Sequence, residues 1–349
     1  MNETTENIDM YVQMNWEHDK KKRGGDMTLI RLGYAAMSMN VKNGSPSQTM
    51  TYAQFSKIAD REAAIRKLER IAASNVANCL RLLRHNAAHG ITFFRLSSKL
   101  IPMANHPELP EWNYIKPIKE NLGEIRSYLA EHPNMRIDFH PDHFVVLNTP
   151  KPDILKTAVQ TLRMHRLLLK EMGIEPEHRC VIHVGGGYRN KEGALEQFVE
   201  NWGLLPSTLQ RIIMLENDDK TFTINETLYL CEKLGIPAVF DYHHHAANHE
   251  KETGWEEAWE RVVNTWQSSA LPVKMHISSP KSAEDFRAHA DFIDAAEFLR
   301  FLHHVKGSVP QIDVMIEAKQ KDNALFALMR EMKKAGMEQV NGASFYVRE

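Results

Sequence analysis

Histidines and carboxylates stand at the ends of short apolar runs along most of the sequence. The members of this set are His140, His183, Glu216, Asp241, His244, His276 and Glu317. Imidazole nitrogens and carboxylate oxygens are ligands that Mn²⁺, Mg²⁺ and Zn²⁺ accept. Side chains of this type, repeated at the ends of consecutive runs, predict a centre for divalent metal ions.

The charge balance within this set also favours bound metal. If the apolar runs are strands, alternation places Glu216 on the same face as Ile212 and Met214, and it places Lys274 on the same face as His276. A carboxylate that faces inward costs several kcal/mol unless it is paired or bound to metal. Three carboxylates and several imidazoles cannot all pair with one lysine and one arginine, Arg95.

The number of candidate ligands suggests how many ions are bound. Glu216, Asp241, His276 and Glu317 would suffice for two ions, and that subset would also suit a barrel sugar isomerase or epimerase. The surplus consists of His106, His140, His183, His244 and His289. These histidines favour a third ion, and three clustered ions suit phosphodiester hydrolysis. We therefore expect two or three ions. The ligand types admit Mn²⁺, Mg²⁺ and Zn²⁺ alike and do not choose among them, and our prediction names Mn²⁺ first.

The apolar runs predict the elements that position these residues. There are eight: Leu29–Gly33, Ile91–Leu96, Met135–His140, Cys180–Val184, Ile212–Glu216, Ile236–Tyr242, Pro272–Ser278 and Ile312–Glu317. Stretches with helical periodicity separate them, among them Asp60–His89, Asp153–Met172, Ile224–Leu234 and Asp285–Val305. Eight strands alternating with helices predict an α/β fold, a single (β/α)₈ TIM-type barrel with the metal centre at the C-terminal ends of its strands.

Two further features support this interpretation. Gly90, Gly173 and Gly235 stand between a helical stretch and the next strand, where each would end its helix in the left-handed conformation. An open doubly wound sheet is the alternative fold, and it is disfavoured because no GxGxxG follows an early strand.

Composition excludes several classes of protein. The chain has 349 residues with 43% hydrophobic residues and a formal net charge of −2, and no run approaches the ~20 apolar residues that span a bilayer. The polar N-terminus lacks a secretory signal, and three scattered cysteines exclude a disulfide framework. We predict a cytoplasmic protein with no membrane association and no obligate protein partner. Residues 1–27 are expected to form a polar extension, and residues 28–349 the barrel domain.

Several segments in this order resemble UV damage endonuclease, the UvdE family. They are IRLGYA (Ile30–Ala35), TFFRLSS (Thr92–Ser98), FHPDHFVVLN (Phe139–Asn148), IHVGGGYRNK (Ile182–Lys191), LENDD (Leu215–Asp219), FDYHHH (Phe240–His245), KMHISSP (Lys274–Pro280) and IEAKQKD (Ile316–Asp322). The resemblance implies a TIM-type barrel related to endonuclease IV. It also implies cleavage of damaged double-stranded DNA directly 5′ of ultraviolet photoproducts, leaving a 3′-hydroxyl, and a related activity on abasic sites.

The resemblance also assigns roles to residues. It implies that the metal ligands are His106, His140, His183, Glu216, Asp241, His244, His276, His289 and Glu317. Glu216 is then a bridging ligand and a catalytic residue, and Lys274 is a modified or metal-proximal catalytic lysine. Tyr34 and the pair His143-Phe144 resemble residues of loops that probe the lesion, although the pair is Gln-Tyr in some family members.

Basic residues in the predicted loops complete the expected DNA contacts. Arg95 stands at the end of a predicted strand and Arg189 follows another. There they would reach the phosphates despite the net charge of −2, because local contacts determine affinity. Three functions remain open from the sequence. They are an endonuclease for ultraviolet lesions, an abasic-site endonuclease on the same scaffold, and a two-metal sugar isomerase or epimerase.

Overall fold

Eight parallel strands form the centre of the molecule. The computed structural model describes residues 27–188, 190–250 and 254–348. The strands are β1 (Met27–Ala35), β2 (Phe93–Leu96), β3 (Arg136–Phe139), β4 (Cys180–His183), β5 (Ile213–Glu216), β6 (Ala238–Asp241), β7 (Val273–Ile277) and β8 (Gln311–Ile316). Each overlaps one of the eight predicted runs, so the predicted strands are confirmed.

The sheet closes on itself. Strands β2 to β8 pair in sequence order, and β1 pairs in parallel with both β8 and β2. At the closing seam Gly33 lies opposite Phe93, and a Cβ on Gly33 would lie only 2.4 Å from the Phe93 carbonyl oxygen. Only glycine allows that approach of the two strands. The closed ring of eight parallel strands confirms the predicted (β/α)₈ barrel.

Helices connect the strands on the outside of the barrel. They are α1 (Tyr52–Phe55), α2 (Arg61–Ala88), α3 (Ile115–Glu131), α4 (Pro152–Glu171), α5 (Lys191–Gly203), α6 (Ser207–Gln210), α7 (Ile224–Leu234), α8 (Tyr242–Ala247), α9 (Trp255–Thr265), α10 (Ala295–Val305) and α11 (Lys321–Lys334). Their apolar faces and the outer faces of the strands share one buried core. Among the described residues, no helix combines the length and the apolar character needed to cross a membrane.

The helical prediction for Asp285–Val305 is wrong in its first half. The helix begins only at Ala295, where Asp294 accepts hydrogen bonds from Ala296 and Glu297 as its N-cap. The residues before it form a loop after β7, which folds back through a bridge between Pro280 and His289. The predicted glycine ends are confirmed, because Gly90, Gly173 and Gly235 all have positive φ.

A hairpin at the C-terminus was not predicted. Strands β9 (Glu338–Asn341) and β10 (Ser344–Arg348) pair with each other, and β10 runs antiparallel to the first half of β1. Met27 opposes Arg348 in this register, so Met27 belongs to the first strand rather than to the predicted extension. The rest of that extension lies outside the described residues.

The barrel interior is layered. Ala35, Phe93 and Met315 form a small apolar cluster of their own inside the sheet. Above it, towards the C-terminal ends of the strands, lie the predicted metal ligands. Below it lies a group of buried charged side chains that includes Arg136 and Asp313. The fold therefore positions two polar layers with an apolar layer between them.

Candidate metal centre

Glu216 lies at the centre of the upper layer. It ends β5, its side chain is buried, and three imidazoles contact its two oxygens. His140 Nε2 lies 2.8 Å and His183 Nε2 3.2 Å from Oε2, while His276 Nδ1 lies 2.8 Å from Oε1. These histidines come from β4, β7 and the end of β3, so three strands on two sides of β5 converge on one carboxylate.

Asp241 and His244 form the next part of the site. Asp241 ends β6 and caps α8, since its Oδ1 accepts a hydrogen bond from the His244 backbone N–H at 2.7 Å. His244 Nδ1 lies 3.7 Å from Asp241 Oδ2 and 3.5 Å from Glu216 Oε1. The short helix thus folds His244 back over the end of its own strand, towards Glu216.

Asn217 holds these two strand ends together, and sequence reasoning missed it. Its side-chain amide exchanges two hydrogen bonds with the backbone of Asp241, at 2.9 and 3.0 Å. Its backbone carbonyl accepts a hydrogen bond from His244 Nδ1 at 2.9 Å. Its position next to Glu216 in the LENDD segment could have identified it, because a buried side-chain amide needs hydrogen-bond partners.

Glu317 closes the site on the far side. It follows β8, and its Oε1 accepts a hydrogen bond from Arg95 Nη1 and lies 3.4 Å from His276 Nδ1. His289 Nδ1 lies 3.9 Å from its Oε2. The loop after β7, which replaces the expected helix, therefore brings His289 to the rim of the centre.

The electrostatics of the site favour the ionised forms of Glu216 and Glu317, whereas burial raises the pKa of Asp241. Burial would raise the pKa of Glu216, but His276 and His183 outweigh it and hold that pKa well below its ordinary value. Burial would likewise raise the pKa of Glu317, which Arg95 and His276 lower instead. For His244, burial is outweighed by Asp241 and Glu216, which raise its pKa to about 9.

The donor set fits divalent metal. His140 Nδ1 donates to the Pro141 carbonyl at 3.0 Å, so a neutral His140 would direct an Nε2 lone pair at Glu216 Oε2. A proton or a metal ion must relieve that contact. Among the described residues, Asp241 Oδ2 and His276 Nε2 are also buried without a hydrogen-bond partner, and their strands are in register at these two residues.

Two groups of possible ligands share Glu216. The first joins it to His140 and His183, and the second joins it to Asp241 and His244. In each group the candidate ligand atoms lie within 4.8 Å of one another. This spacing suits ions bridged by one carboxylate, the role that the family resemblance implies for Glu216.

Lys274 lies one layer below this centre. Its side chain is fully buried, and its Nζ lies 3.2 Å from Asp138 Oδ2 and 5.6 Å from the centre of the Phe93 ring. Burial lowers its pKa to about 8, although Asp138 opposes that shift. The structure therefore places Lys274 under His276, as alternation predicted, and its catalytic role stays a prediction.

His106 lies apart from the other predicted ligands. Its ring stacks on Tyr52 with 4.8 Å between centroids, and its Nδ1 accepts a hydrogen bond from the Glu108 backbone. Neither contact links His106 to Glu216.

The probing role that the resemblance implies for Tyr34 requires an exposed ring, and the structure contradicts it. Its ring is fully buried, packs edge-on against Phe94 and donates its hydroxyl hydrogen to Asn86 Oδ1 at 2.6 Å. The physical reason is strand parity, because Gly33 and Ala35 face the barrel axis and Tyr34 therefore faces the helices. Arg95 also differs from expectation, since it reaches into the barrel mouth to pair with Glu317.

The predicted pair after β3 is exposed. His143 lies at the surface and Phe144 is 55% exposed, an unusual fraction for an aromatic side chain. Other exposed aromatic residues follow other strands at the same end of the barrel: Tyr188, Phe286 and Phe292. The sequence analysis did not single them out. Arg189, a predicted phosphate contact, lies outside the described residues.

Comparison with known proteins adds a family to this geometry. A family model described as UV-endonuclease UvdE matches residues 30–345. The chain is 54% identical over 304 residues to a UV DNA damage endonuclease of Halalkalibacterium halodurans, covering 87% of this chain and 94% of that protein.

Solved structures agree in fold. The crystal structure of SacUVDE superposes with a TM-score of 0.76 at 30% identity, covering 88% of this chain and 99% of that one. Endonuclease IV from Thermus thermophilus superposes with a TM-score of 0.50 at 13% identity, covering 87% and 99%, and shares the fold.

Proposed function

The chain belongs to the UV-endonuclease UvdE family, and we propose that it hydrolyses the DNA backbone immediately 5′ of ultraviolet photoproducts with the help of divalent metal ions. It is an endonuclease of DNA repair, and damaged double-stranded DNA is its substrate. The observation that carries the metal-dependent step is the convergence of His140, His183 and His276 on the buried carboxylate of Glu216.

We assign the ions to the upper layer of the barrel. The two groups that share Glu216 support at least two ions, and His276, Glu317 and His289 offer donors for a third. Divalent ions held there would neutralise charge on the scissile phosphate and make water a stronger nucleophile at neutral pH. Oxygen and imidazole donors without cysteine are compatible with Mn²⁺, which we propose as the ion.

The protein's own groups prepare this centre. The Nδ1 atoms of His140 and His244 each lie within hydrogen-bond distance of a backbone carbonyl, which fixes both rings and leaves Nε2 available to a metal ion whenever the imidazole is neutral. Arg95 keeps Glu317 ionised through its hydrogen bond. Asn217 keeps the ends of β5 and β6 at one level, so that Glu216 and Asp241 face the same space.

Lesion recognition is assigned to the loop after β3. A photodimer has weakened stacking and pairing, so its bases are cheaper to expose than intact ones. A protein that uses this difference needs flat or apolar side chains that enter the duplex and fill the vacated stack. Phe144 and His143 are exposed, and their ring centroids lie 6.1 Å apart. The loop begins directly after His140, so these rings are tied to the metal centre.

The test is cleavage of irradiated DNA. Supercoiled plasmid, irradiated or untreated, is incubated with the protein and Mn²⁺, with and without chelator. We expect nicks only in irradiated plasmid without chelator. On a duplex oligonucleotide with one thymine dimer, the product should end directly 5′ of the dimer in a 3′-hydroxyl that a polymerase extends.

A second oligonucleotide separates the alternatives. A duplex with one abasic site in place of the dimer tests the related activity that the resemblance implies. Cleavage of the abasic duplex combined with an intact dimer duplex would contradict the proposal and indicate an abasic-site endonuclease. Absence of nicking on both, with metal bound, would reject nuclease function altogether.

A further inference from the structure

The end of the barrel opposite to the metal centre contains a cluster of charged side chains that are buried or only slightly exposed. We call it the floor cluster, and its members are Arg31, Arg136, Asp138, Arg179, Lys274 and Asp313. The floor of a TIM barrel is ordinarily packed with branched apolar side chains. Here the apolar cluster of Ala35, Phe93 and Met315 lies between the arginines of the floor cluster and the predicted metal ligands. Lys274 lies directly below His276 and adjoins both levels, whereas the three arginines lie away from the site above.

The charges of the floor cluster do not balance. Asp313 accepts hydrogen bonds from Arg31 at 2.7 Å and from Arg136 at 2.9 Å. Asp138 accepts one from Arg136 at 3.0 Å, and Arg179 lies 3.4 Å from it. With Lys274 also beside Asp138, four basic side chains face two carboxylates. Even a neutral lysine would leave three guanidinium groups against two negative charges.

Hydrogen bonding is also incomplete. The Arg136 side chain is only 2% exposed, and its Nη2 has no hydrogen-bond partner among the residues that the structure describes. The same holds for Arg179 Nε within those ranges. Buried guanidinium groups are ordinarily satisfied by carboxylates, carbonyls or bound anions. Burial above all lowers the pKa of Arg179, with a smaller contribution from Arg136 and against the opposing effect of Asp138.

A cavity adjoins these arginines. It has a volume of about 410 Å³, and Arg31, Arg136 and Arg179 all line it. Asn134, Asn341 and Ser344 add polar groups to the same wall. Part of this lining belongs to the β9–β10 hairpin, whose Val340 is half-exposed at the edge of the cavity.

We propose that this floor cavity binds a small phosphate-bearing anion, either inorganic phosphate or a phosphomonoester such as a nucleoside monophosphate. Guanidinium groups bind phosphate through paired hydrogen bonds, and three of them converge here with polar neighbours. The anion supplies the negative charge that the floor cluster lacks. The cavity has room for more than the phosphate group alone, which is why both ligand sizes belong to the proposal.

The first experiment measures stabilisation of the Mn²⁺-loaded protein by anions. Thermal unfolding is followed with inorganic phosphate, with thymidine monophosphate and with chloride at equal ionic strength. We expect the two phosphates, but not chloride, to raise Tm by about 4 °C at 100-fold above Kd. A larger effect of thymidine monophosphate would identify a phosphomonoester as the ligand, and equal effects would identify the phosphate group alone. No rise above that in chloride would overturn the proposal.

Variants separate the floor cavity from the metal centre, which also attracts phosphate. Arg179→Gln removes one cavity arginine, and Arg179→Lys keeps its charge. Arg261→Gln is the matched control, because Arg261 is exposed and paired with Glu232 on the surface. We expect Arg179→Gln to lose most of the phosphate-dependent rise in Tm, Arg179→Lys to retain part of it, and the control to retain all of it. A full rise in Arg179→Gln would overturn the proposal.

Two further readouts complete the design. Cleavage of irradiated plasmid should be unchanged in Arg179→Gln, so failure of this proposal and failure of the proposed function are distinguishable. If Arg179→Gln does not fold, crystals of the wild-type protein grown with selenate give an independent test. We expect an anomalous peak among Arg31, Arg136 and Arg179, and an absent peak would reject the site.

Discussion

At the scale of single residues, Glu216 determines the character of the centre. Four imidazoles surround its buried carboxylate. Its charge is balanced either by protons on these rings or by a metal ion that the rings and the carboxylate share. The rings belong to His140, His183, His244 and His276. Removing the charge of Glu216 while keeping its shape therefore separates metal binding from folding.

Glu216→Gln should abolish cleavage of irradiated plasmid and reduce bound Mn²⁺, because an amide is a weak ligand and cannot bridge two ions. The fold should persist when the variant is compared with metal-free wild type, because glutamine keeps the volume of glutamate and its amide can still hydrogen-bond to neutral imidazoles. Metal content, circular dichroism and nicking are the measurements. Nicking at a near wild-type rate would remove Glu216 from the centre.

Phe144→Ala and His143→Ala should each weaken binding to dimer-containing duplex by ~1–3 kcal/mol, the size of a lost base-stacking contact. Metal content should stay unchanged, because both rings lie at the surface rather than among the buried ligands. Affinities for damaged and undamaged duplex are compared at one fixed salt concentration. Leu204→Ala, at a 74% exposed apolar residue directly after α5, is the control. Full preference for damaged DNA in both variants would refute the assigned role.

Tyr34 shows what residue types alone do not reveal. The sequence predicted its position directly at the end of β1, but its orientation follows from parity with Gly33 and Ala35, which the sequence analysis did not apply there. Its hydroxyl bonds to Asn86 inside the protein. The distances between Glu216 and the surrounding imidazoles could not be predicted from the sequence either. They depend on the stagger between neighbouring strands, which sets the height of each strand end.

At the scale of elements, the periodicity of apolar residues predicted the repeated strands of the barrel. It missed the loop after β7 and the C-terminal hairpin, which do not follow that repeat. All eight strands were predicted, because each is a buried apolar run between helix ends such as Gly173 and Gly235. The loop after β7 has charged and apolar residues at helical spacing, yet its backbone bonds across to Ser279 and Lys281 instead. The β9–β10 hairpin lies outside the barrel repeat, and alternation over four or five residues is a weak signal.

The packing of α4 on β3 leads to a pH-dependent prediction. His165 of α4 is buried against Phe139 of β3, with 4.6 Å between ring centroids, and burial lowers its pKa from 6.5 to about 4. The unfolded chain therefore binds a proton at a higher pH than the folded chain. The stability that the neutral ring contributes is fully present above pH 6.5 and is lost as the pH falls towards 4.

His165→Gln should consequently flatten the acid side of the stability profile. We expect the difference in unfolding free energy between wild type and variant to shrink by about 1.4 kcal/mol per pH unit between about pH 6 and 4.5. Leu162→Ala, at a buried residue of the same helix, removes apolar contacts without a titrating group and serves as the control. Urea unfolding of the metal-loaded proteins at several pH values measures both. A constant difference for His165→Gln would contradict the burial argument.

At the scale of the whole molecule, the barrel is a scaffold with charge at both ends and apolar packing between them. Family membership and fold could be read from the order of motifs along the chain, because that order survives in any sequence with the same strands. The floor cluster could not be read from the sequence. Arg31 lies 282 residues and Arg136 177 residues from Asp313 along the chain, and these side chains meet only in the closed barrel. The same closure brings the metal ligands together, so binding at the centre should stabilise the entire barrel.

Mn²⁺ binding should therefore raise Tm, and the size of the effect should depend on pH. In the metal-free protein Asp241 and Glu216 raise the pKa of His244 to about 9, so a proton occupies this ligand at neutral pH and must leave when metal binds. The apparent affinity for Mn²⁺ should rise between about pH 6 and 9, about tenfold per pH unit for each proton displaced. Calorimetric titration of the chelator-treated protein in buffers of different ionisation enthalpy measures both affinity and released protons. An affinity that stays constant over this range, with no proton release, would contradict a centre in which His244 is a ligand.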